Sequence, residues 1–381
     1  MITDITRSII SLILINLKFA FNVSKKKTIV FNFPREQVAK KDINYIEDLF
    51  KDLEKFFFIV YVHKIKDPKF NLKNKYFMQQ YLLKFILNAD YFVSNYISDF
   101  FPQQTKKIYI HHCITDCPLT NKKKDYEIAA RFSKYDFILI NSIYVKNYFE
   151  EIINKYCKKF SKENITNIID VGYPRIDFLI KRLNQKKRSK NNEKSIIIAP
   201  ANFIAFKKFS LINNLEFLID CLLKFTKFRV IFRPHPQNRK NILSDDNKFN
   251  DKFNFLSKYK NNKKFLFDTS DDYLKNYLGS KIMISDLSGT AFTFSFLTNN
   301  PVLFYSLNER EYTKIYKKFE HFKLRYKIGK VCYNKKLVLK NIKELIQNKR
   351  KISLNIQNEK KRLKKFSFAK KNISIFFKDN L

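Results

Sequence analysis

Phe232-Arg233-Pro234-His235-Pro236 sets a histidine between two prolines, directly after a β-branched and aromatic run. Proline fixes its own φ and pushes the residue before it toward extended backbone, so Arg233 and His235 are both held extended. A guanidinium and an imidazole on such a stiff turn suit an oxyanion, although the same turn could simply end a strand. A second stretch, Ser285-Asp286-Leu287-Ser288-Gly289-Thr290, leads from an apolar run into an apolar helical segment. The first N–H groups of a helix lack intrahelical partners and its dipole is positive there, which makes a ready anion site. Gly289 would let a phosphate approach the backbone, and the Ser288 and Thr290 hydroxyls could donate to it. The plainer alternative is that Ser288 or Asp286 caps the helix.

Further polar groups stand after apolar runs in the same way. His111 and His112 close "KIYIHH" (107–112). Pro200 and Asn202 follow "SIII", and Asp268 and Ser270 follow "FLF". Asp268, Ser270 and Asp271 could also cap a following helix. Tyr173 and Arg175 flank Pro174, where a structural turn and a substrate contact are both open. His63 and His321 have no supporting motif and read as packing or surface residues.

These groups need elements to place them. Short apolar runs alternate with longer helical stretches, the signature of an α/β fold with parallel sheets. Strands are expected at 27–33, 56–62, 91–95, 107–112, 136–142 and 167–174, with helices at 43–55, 73–88 and 143–159. The polar run 181–194 reads as a linker. A second series has strands at 195–200, 228–236, 264–270, 281–290 and 301–306, with helices at 211–225, 271–279 and 289–299. From about 336 the chain reads as basic helices. The expected organisation is an N-terminal helix (1–25), a first domain (26–185) and a second domain with the C-terminal helices (195–381). In the second series each polar cluster follows the carboxyl end of a strand, the edge at which parallel sheets bind ligands.

Composition narrows the classes. The chain has 381 residues, room for two domains, and 45% hydrophobic residues mark it as folded. The formal charge of +40 invites a nucleic-acid reading. The excess is mostly lysine and accompanies heavy use of Asn, Ile, Phe and Tyr, whose codons are A/T-rich, so a biased genome accounts for it as well. Five cysteines without a small-domain pattern favour reduced thiols and a cytoplasmic setting. His111-His112-Cys113 with Cys117 has no second ligand pair, and the Asp-Asp pairs at 245–246 and 271–272 are not Asp-x-Asp, so no metal is expected. The apolar stretch 8–21 is interrupted by Lys18 and too short to span a bilayer, and a packed helix is expected there rather than an interfacial anchor.

"VGYPRID" (171–177), "IIIAPAN" (196–202), "FRPHP" (232–236), "DTSDD" (268–272) and "SDLSGTAFTFSFLTNNPVLFY" (285–305) come in the order of the CDP-glycerol glycerophosphotransferases, which include teichoic-acid polymerases. The resemblance covers about residues 90–380. It implies a GT-B fold, two Rossmann-like domains facing across a cleft, with no metal or cofactor. It also implies a cytidine-nucleotide donor on the second domain and a membrane-linked or polymeric glycan acceptor. The enzyme would then sit peripherally at the inner face of the cell membrane, with no specific nucleic-acid partner. By the resemblance, His235 and Arg233 contact the donor diphosphate, Ser288, Gly289 and Thr290 hold phosphate, Asp286 supports their turn, and His112 or His111 is the base. Teichoic-acid polymerases typically follow that histidine with Gly-Thr-Pro-Leu-Lys, whereas this chain has "HHCITDCPLTNK", so the acceptor and transferred group stay open. Two rival readings are a nucleotide-sugar epimerase, turning over the donor alone, and a basic nucleic-acid binder.

Overall fold

The computed structural model describes residues 3–22, 24–34, 36–65, 73–112, 122–157, 166–185, 194–204, 207–243, 252–270, 272–317, 319–363 and 367–380. The chain divides into two compact units, Met1–Phe178 with Lys365–Leu381, and Leu179–Lys364.

The first unit is built on a parallel sheet of β1 (Lys27–Phe33), β2 (Phe57–His63), β3 (Lys75–Phe77), β4 (Tyr91–Ser94), β5 (Lys106–Ile110), β6 (Phe137–Ile140) and β7 (Asn167–Asp170). Its strand order is β3-β2-β1-β4-β5-β6-β7, so the winding reverses between β1 and β4. Side chains alternate across each strand. Ile29, Phe31 and Phe33 therefore enter one core layer, while Val30 joins Val60, Val62 and Phe92 in the other. Burial on both faces explains why these strands read as nearly continuous apolar runs.

Two terminal helices complete this unit. Asp4–Ala20 packs through Ile15 and Phe19 on the second layer. That matches the expected packed helix on one face only, because six large apolar side chains on the opposite face are 44–55% exposed. The helix Ala369–Asp379 places Ile373, Phe376 and Phe377 in the first layer, against Phe50, Phe57 and Phe137. Burying those three side chains contributes about 5–9 kcal/mol gross. The Asp177 carboxylate accepts the Lys370 N–H at 3.0 Å, and Asn372 donates to the Val171 carbonyl at 3.0 Å. The last helix was expected with the second domain; this apolar face and these bonds put it on the first.

The second unit carries β8 (Ser195–Ile198), β9 (Arg229–Phe232), β10 (Phe265–Phe267), β11 (Ser280–Ser285), β12 (Val302–Tyr305) and β13 (Gly329–Cys332). All pairs are parallel in the order β10-β9-β8-β11-β12-β13, again reversing at one point, between β8 and β11. Gly329 is required by close approach, since a Cβ there would stand 1.9 Å from the Val302 carbonyl oxygen.

Two further expectations differ from the structure. Residues 73–88, expected as one helix, hold β3 and the short 3-10 helix Gln80–Phe85, because β2 captures Tyr61–His63 against 75–77. β13 was not expected; four residues pairing with only one neighbour carry little periodic signal.

Candidate active site

In the second unit, hydrogen bonds past the ends of four adjacent strands line up the polar clusters. Asp268 N–H donates to Phe232 O at 2.8 Å, Arg233 N–H to Ile198 O at 2.9 Å, and Ala199 N–H to Ile284 O at 2.9 Å. The Ser285 hydroxyl donates to Ala199 O at 2.6 Å. Residues 199–202, 233–235, 268–270 and 285–290 thus share one carboxyl edge of the sheet, at the point where its winding reverses.

Each residue has a definable job there. Pro236 opens the helix Pro236–Leu243, where its missing N–H costs nothing, and the His235 carbonyl accepts from Arg239 N–H at 2.8 Å. The two prolines therefore end a strand and start a helix with half-buried His235 at the junction. Arg233 pairs with buried Asp268 at 2.6 Å and lies 5.4 Å from the Tyr273 ring. Asp268 also accepts from Ser270 N–H at 2.9 Å, Ser270 Oγ at 2.6 Å and Asn276 Nδ2 at 2.7 Å. Burial alone would push this carboxyl up, but those hydrogen bonds and the guanidinium outweigh it and hold the pKa below its ordinary value. Asp268 and Ser270 hence form an Asx turn that holds Arg233, and the Leu274 N–H that opens the next helix goes to Asp272 at 3.0 Å. Asp271 lies outside the described residues.

Asp286 is 3% exposed and accepts backbone N–H bonds from Ala201 (2.7 Å), Leu211 (2.9 Å) and Leu287 (2.7 Å). Burial raises its pKa and the three donors oppose that rise. It ties the loop after β8 to the loop after β11. Gly289 precedes the helix Thr290–Thr298 with ordinary helical backbone angles, and Ser288, Gly289 and Thr290 are each half-buried at its start. The Thr290 hydroxyl hydrogen-bonds Tyr277 Oη. Pro200 is buried, and Asn202 Oδ1 accepts from Ile204 N–H at 3.0 Å, a local turn.

The first unit has its own polar cluster, again on the carboxyl edge. After β5, His111 is 2% exposed, with its ring 5.3 Å from that of Phe149, whereas His112 is half-buried. The His112 ring stacks on Tyr96 at 4.1 Å, and its Nδ1 lies 3.2 Å from Tyr109 Oη. After β7, Gly172 takes φ 88°, a left-handed turn open to glycine, and Pro174 starts the helix Pro174–Gln185. That turn sends the Tyr173 hydroxyl to the His112 carbonyl at 3.3 Å. Arg175, 7% exposed, faces Asp42 at 3.7 Å. Asn95 Nδ2 donates to Asp42 at 2.9 Å and to Tyr45 Oη at 3.2 Å. Burial first, then the Asp42 charge, raises the Tyr45 and Tyr96 hydroxyl pKa values well above normal, so both stay protonated.

Sequence reasoning missed Asp42, Tyr45, Asn95, Tyr96 and Tyr109. Asn95 and Tyr96 follow β4 as directly as the histidines follow β5, so the strand-end rule would have found them. Asp42 lies within a helix, where nothing local distinguishes it. His63 and His321 are buried packing residues, and Cys113 and Cys117 lie outside the described residues. Among the described residues no cluster of His, Cys, Asp and Glu is arranged to hold a metal ion.

The sequence matches the CDP-glycerol:poly(glycerophosphate) glycerophosphotransferase family over residues 14–372. No curated protein matches it in sequence. Among solved structures, the wall teichoic acid polymerase TagF superposes with a TM-score of 0.63 at 18% identity, over 96% of this chain and 96% of that one. S. aureus MnaA, solved with UDP, gives 0.59 at 15% identity over 92% and 96%. A putative UDP-N-acetylglucosamine 2-epimerase from Listeria monocytogenes gives 0.61 at 13% over 93% and 96%. Likeness at these identities carries the fold, and with the two parallel α/β sheets it makes this a GT-B protein. By the match over nearly its whole length, the chain is a transferase and belongs to the CDP-glycerol:poly(glycerophosphate) glycerophosphotransferase family.

Proposed function

We propose that the protein moves a glycerophosphate, another alditol phosphate or a sugar from a cytidine-nucleotide donor to a hydroxyl of a teichoic-acid-like or other cell-surface glycan precursor, working at the inner face of the membrane. The observation that carries this reading is the row of four linked strand ends in the second unit, which gathers Arg233, His235 and the helix start at 288–290 on one edge. A cationic fork, an imidazole and backbone N–H groups are what a diphosphate needs. Asp268 and Asp286 serve by holding that edge in shape.

In the first unit His112 acts as the base. With Nδ1 donating its hydrogen to Tyr109 Oη, the lone pair on Nε2 takes the proton of the acceptor hydroxyl. The oxygen then attacks the distal phosphorus of a CDP-alditol. The bond from that phosphorus to the bridging oxygen breaks, and CMP leaves with the electron pair. For an activated sugar the same attack falls on the anomeric carbon. Arg233, His235 and the 288–290 helix start stabilise the charge gathering on the leaving phosphate, and removing one such preorganised donor costs on the order of a hundredfold in turnover.

The test is a thermal-shift panel of CMP, CDP, CDP-glycerol, UDP and GDP on the wild type and His235→Ala. Stabilisation selective for the cytidine ligands and lost in the variant supports the donor site. Indifference to every nucleotide, with RNA stabilising the protein instead, overturns the reading.

A further inference from the structure

Tyr273, Asn276 and Tyr277 stand at i, i+3 and i+4 along the short helix Leu274–Gly279 and its cap, a spacing that puts them on one face. Each engages a different part of the edge described above. The Tyr273 ring lies 5.4 Å from the Arg233 guanidinium. Asn276 Nδ2 donates at 2.7 Å to the carboxylate of Asp268, the group that also holds Arg233. The Tyr277 hydroxyl pairs with that of Thr290, which opens the helix Thr290–Thr298. One helical face therefore reaches both groups suited to phosphate, the cationic fork after β9 and the helix start after β11.

That face is built to stay in place. The Tyr273 and Tyr277 rings pack at 4.7 Å, and Tyr277 meets the Phe294 ring at 5.5 Å. Ser280 Oγ donates to Asn276 O at 2.7 Å and pins the far end. Tyr277 is 1% exposed, too deep to touch a ligand, whereas Thr290 is half-buried. Its hydroxyl acts on a ligand through Thr290 alone. A threonine hydroxyl has one hydrogen to give. Given to Tyr277, it would leave a lone pair facing the phosphate oxygens, acceptor against acceptor. With Tyr277 donating to Thr290 Oγ1, the Thr290 hydrogen is left for the phosphate, and the two bonds run in one direction and polarise each other. Arg233 is steadied in a similar way. Asp268 and Ser270 hold its Nη1 at 2.6 and 3.4 Å, and the Tyr273 ring beside the guanidinium restricts how its other N–H groups turn.

We infer that Tyr277 is a positioning residue that aims the Thr290 hydroxyl at a donor phosphate, while Tyr273 and Asn276 on the same face steady Arg233. This rests on reading the edge as a diphosphate site, and CDP and UDP are compared so that the two can fail apart. Dissociation constants are measured by titration calorimetry on the full chain. Tyr277→Phe keeps the ring and should weaken CDP about three- to tenfold. In a Thr290→Val background the same change should cost nothing, and in Thr290→Ser, which keeps the hydroxyl, the cost should return. Tyr273→Leu should weaken CDP about two- to fivefold with Arg233 present and not at all in Arg233→Met. This second cycle gives the reading if Tyr277→Phe fails to fold. Tyr277→Phe that binds CDP as well as the wild type does overturns the inference, because Thr290 then donates to Tyr277. So do losses of equal size with and without the partner hydroxyl or guanidinium, the pattern of a merely structural role. A preference for UDP with both couplings intact supports the inference and overturns the cytidine reading. A wild type that binds neither diphosphate overturns both.

Discussion

Replacing Asp286 separates a residue that touches a ligand from one that shapes the place where the ligand sits. Its carboxylate accepts three backbone N–H groups, of Ala201, Leu211 and Leu287, while only 3% exposed. In Asp286→Ala those donors lose their acceptor in the interior, at about 1–3 kcal/mol each. Against this stands relief of a buried charge, whose cost is visible in the raised pKa. A net loss of about 3–5 kcal/mol follows, a large part of the 5–15 kcal/mol typical of a whole domain. Asp286→Asn should be milder, about 1–3 kcal/mol, because an amide oxygen in the Oδ1 position keeps Ala201 and Leu287 while its NH2 opposes the Leu211 donor. Urea unfolding followed by circular dichroism measures both losses, and CMP affinity of the folded fraction should fall with them as the loops after β8 and β11 separate. Asp286→Ala within about 1 kcal/mol of the wild type in stability, yet without CMP binding, would refute the argument and make Asp286 a direct ligand contact.

Other outcomes follow from the same structure. His112→Gln should reduce transfer by about 10²–10⁴-fold with an unchanged melting curve, whereas His111→Gln should chiefly lower stability, since that ring is buried against Phe149. Tyr109→Phe should lower transfer about three- to tenfold through kcat with KM little changed, a split that packing loss alone would not produce. Burial, with the charges of Arg7 and Lys75, lowers the His63 pKa from 6.5 to about 4. The folded state therefore binds fewer protons than the unfolded chain, and about 3 kcal/mol is lost as pH falls from 6.5 toward 4. Urea midpoints at pH 7 and 4.5 read that slope, which His63→Gln should flatten. Burial raises Asp177 from 3.8 to about 6. This carboxyl costs stability as pH rises between those values, so Asp177→Asn, which keeps an acceptor for Lys370 N–H, should be more stable than the wild type at pH 7 and equal to it near pH 4.

The second-unit cluster was legible because each of its strands is an uninterrupted apolar run with polar groups at one end, and parallel winding then brings those ends together without further information. "VIF" followed by Arg-Pro-His-Pro and "IMIS" followed by Asp-Leu-Ser-Gly-Thr carry both the element and its boundary. What failed was information held by a distant partner. Residues 75–77 become a strand because β2 offers them an edge, which neither their types nor their spacing reveals. Asp42 joins the His112 cluster through Asn95 and Arg175, side chains on other elements. The C-terminal helix goes to the first unit because Asp177 and an aromatic layer receive it there.

The N-terminal helix poses a different problem, since "SIISLILINLKFAF" is apolar at so many positions that periodicity names no buried face. The residues that break the pattern, Ser8, Ser11 and Asn16, carry the orientation, and ordinary reasoning assigns them to solvent. Here they face the protein, Ser8 and Asn16 because the neighbouring segment 79–87 offers backbone N–H and C=O groups that need partners, and a hydroxyl or amide meets that need while leucine cannot. The aliphatic side chains are left outside by the same bonds. A helix whose polar residues are spent on protein backbone leaves its aliphatic side chains on one outward stripe, and for that reason its exposed isoleucines lie together instead of singly scattered as on an ordinary surface.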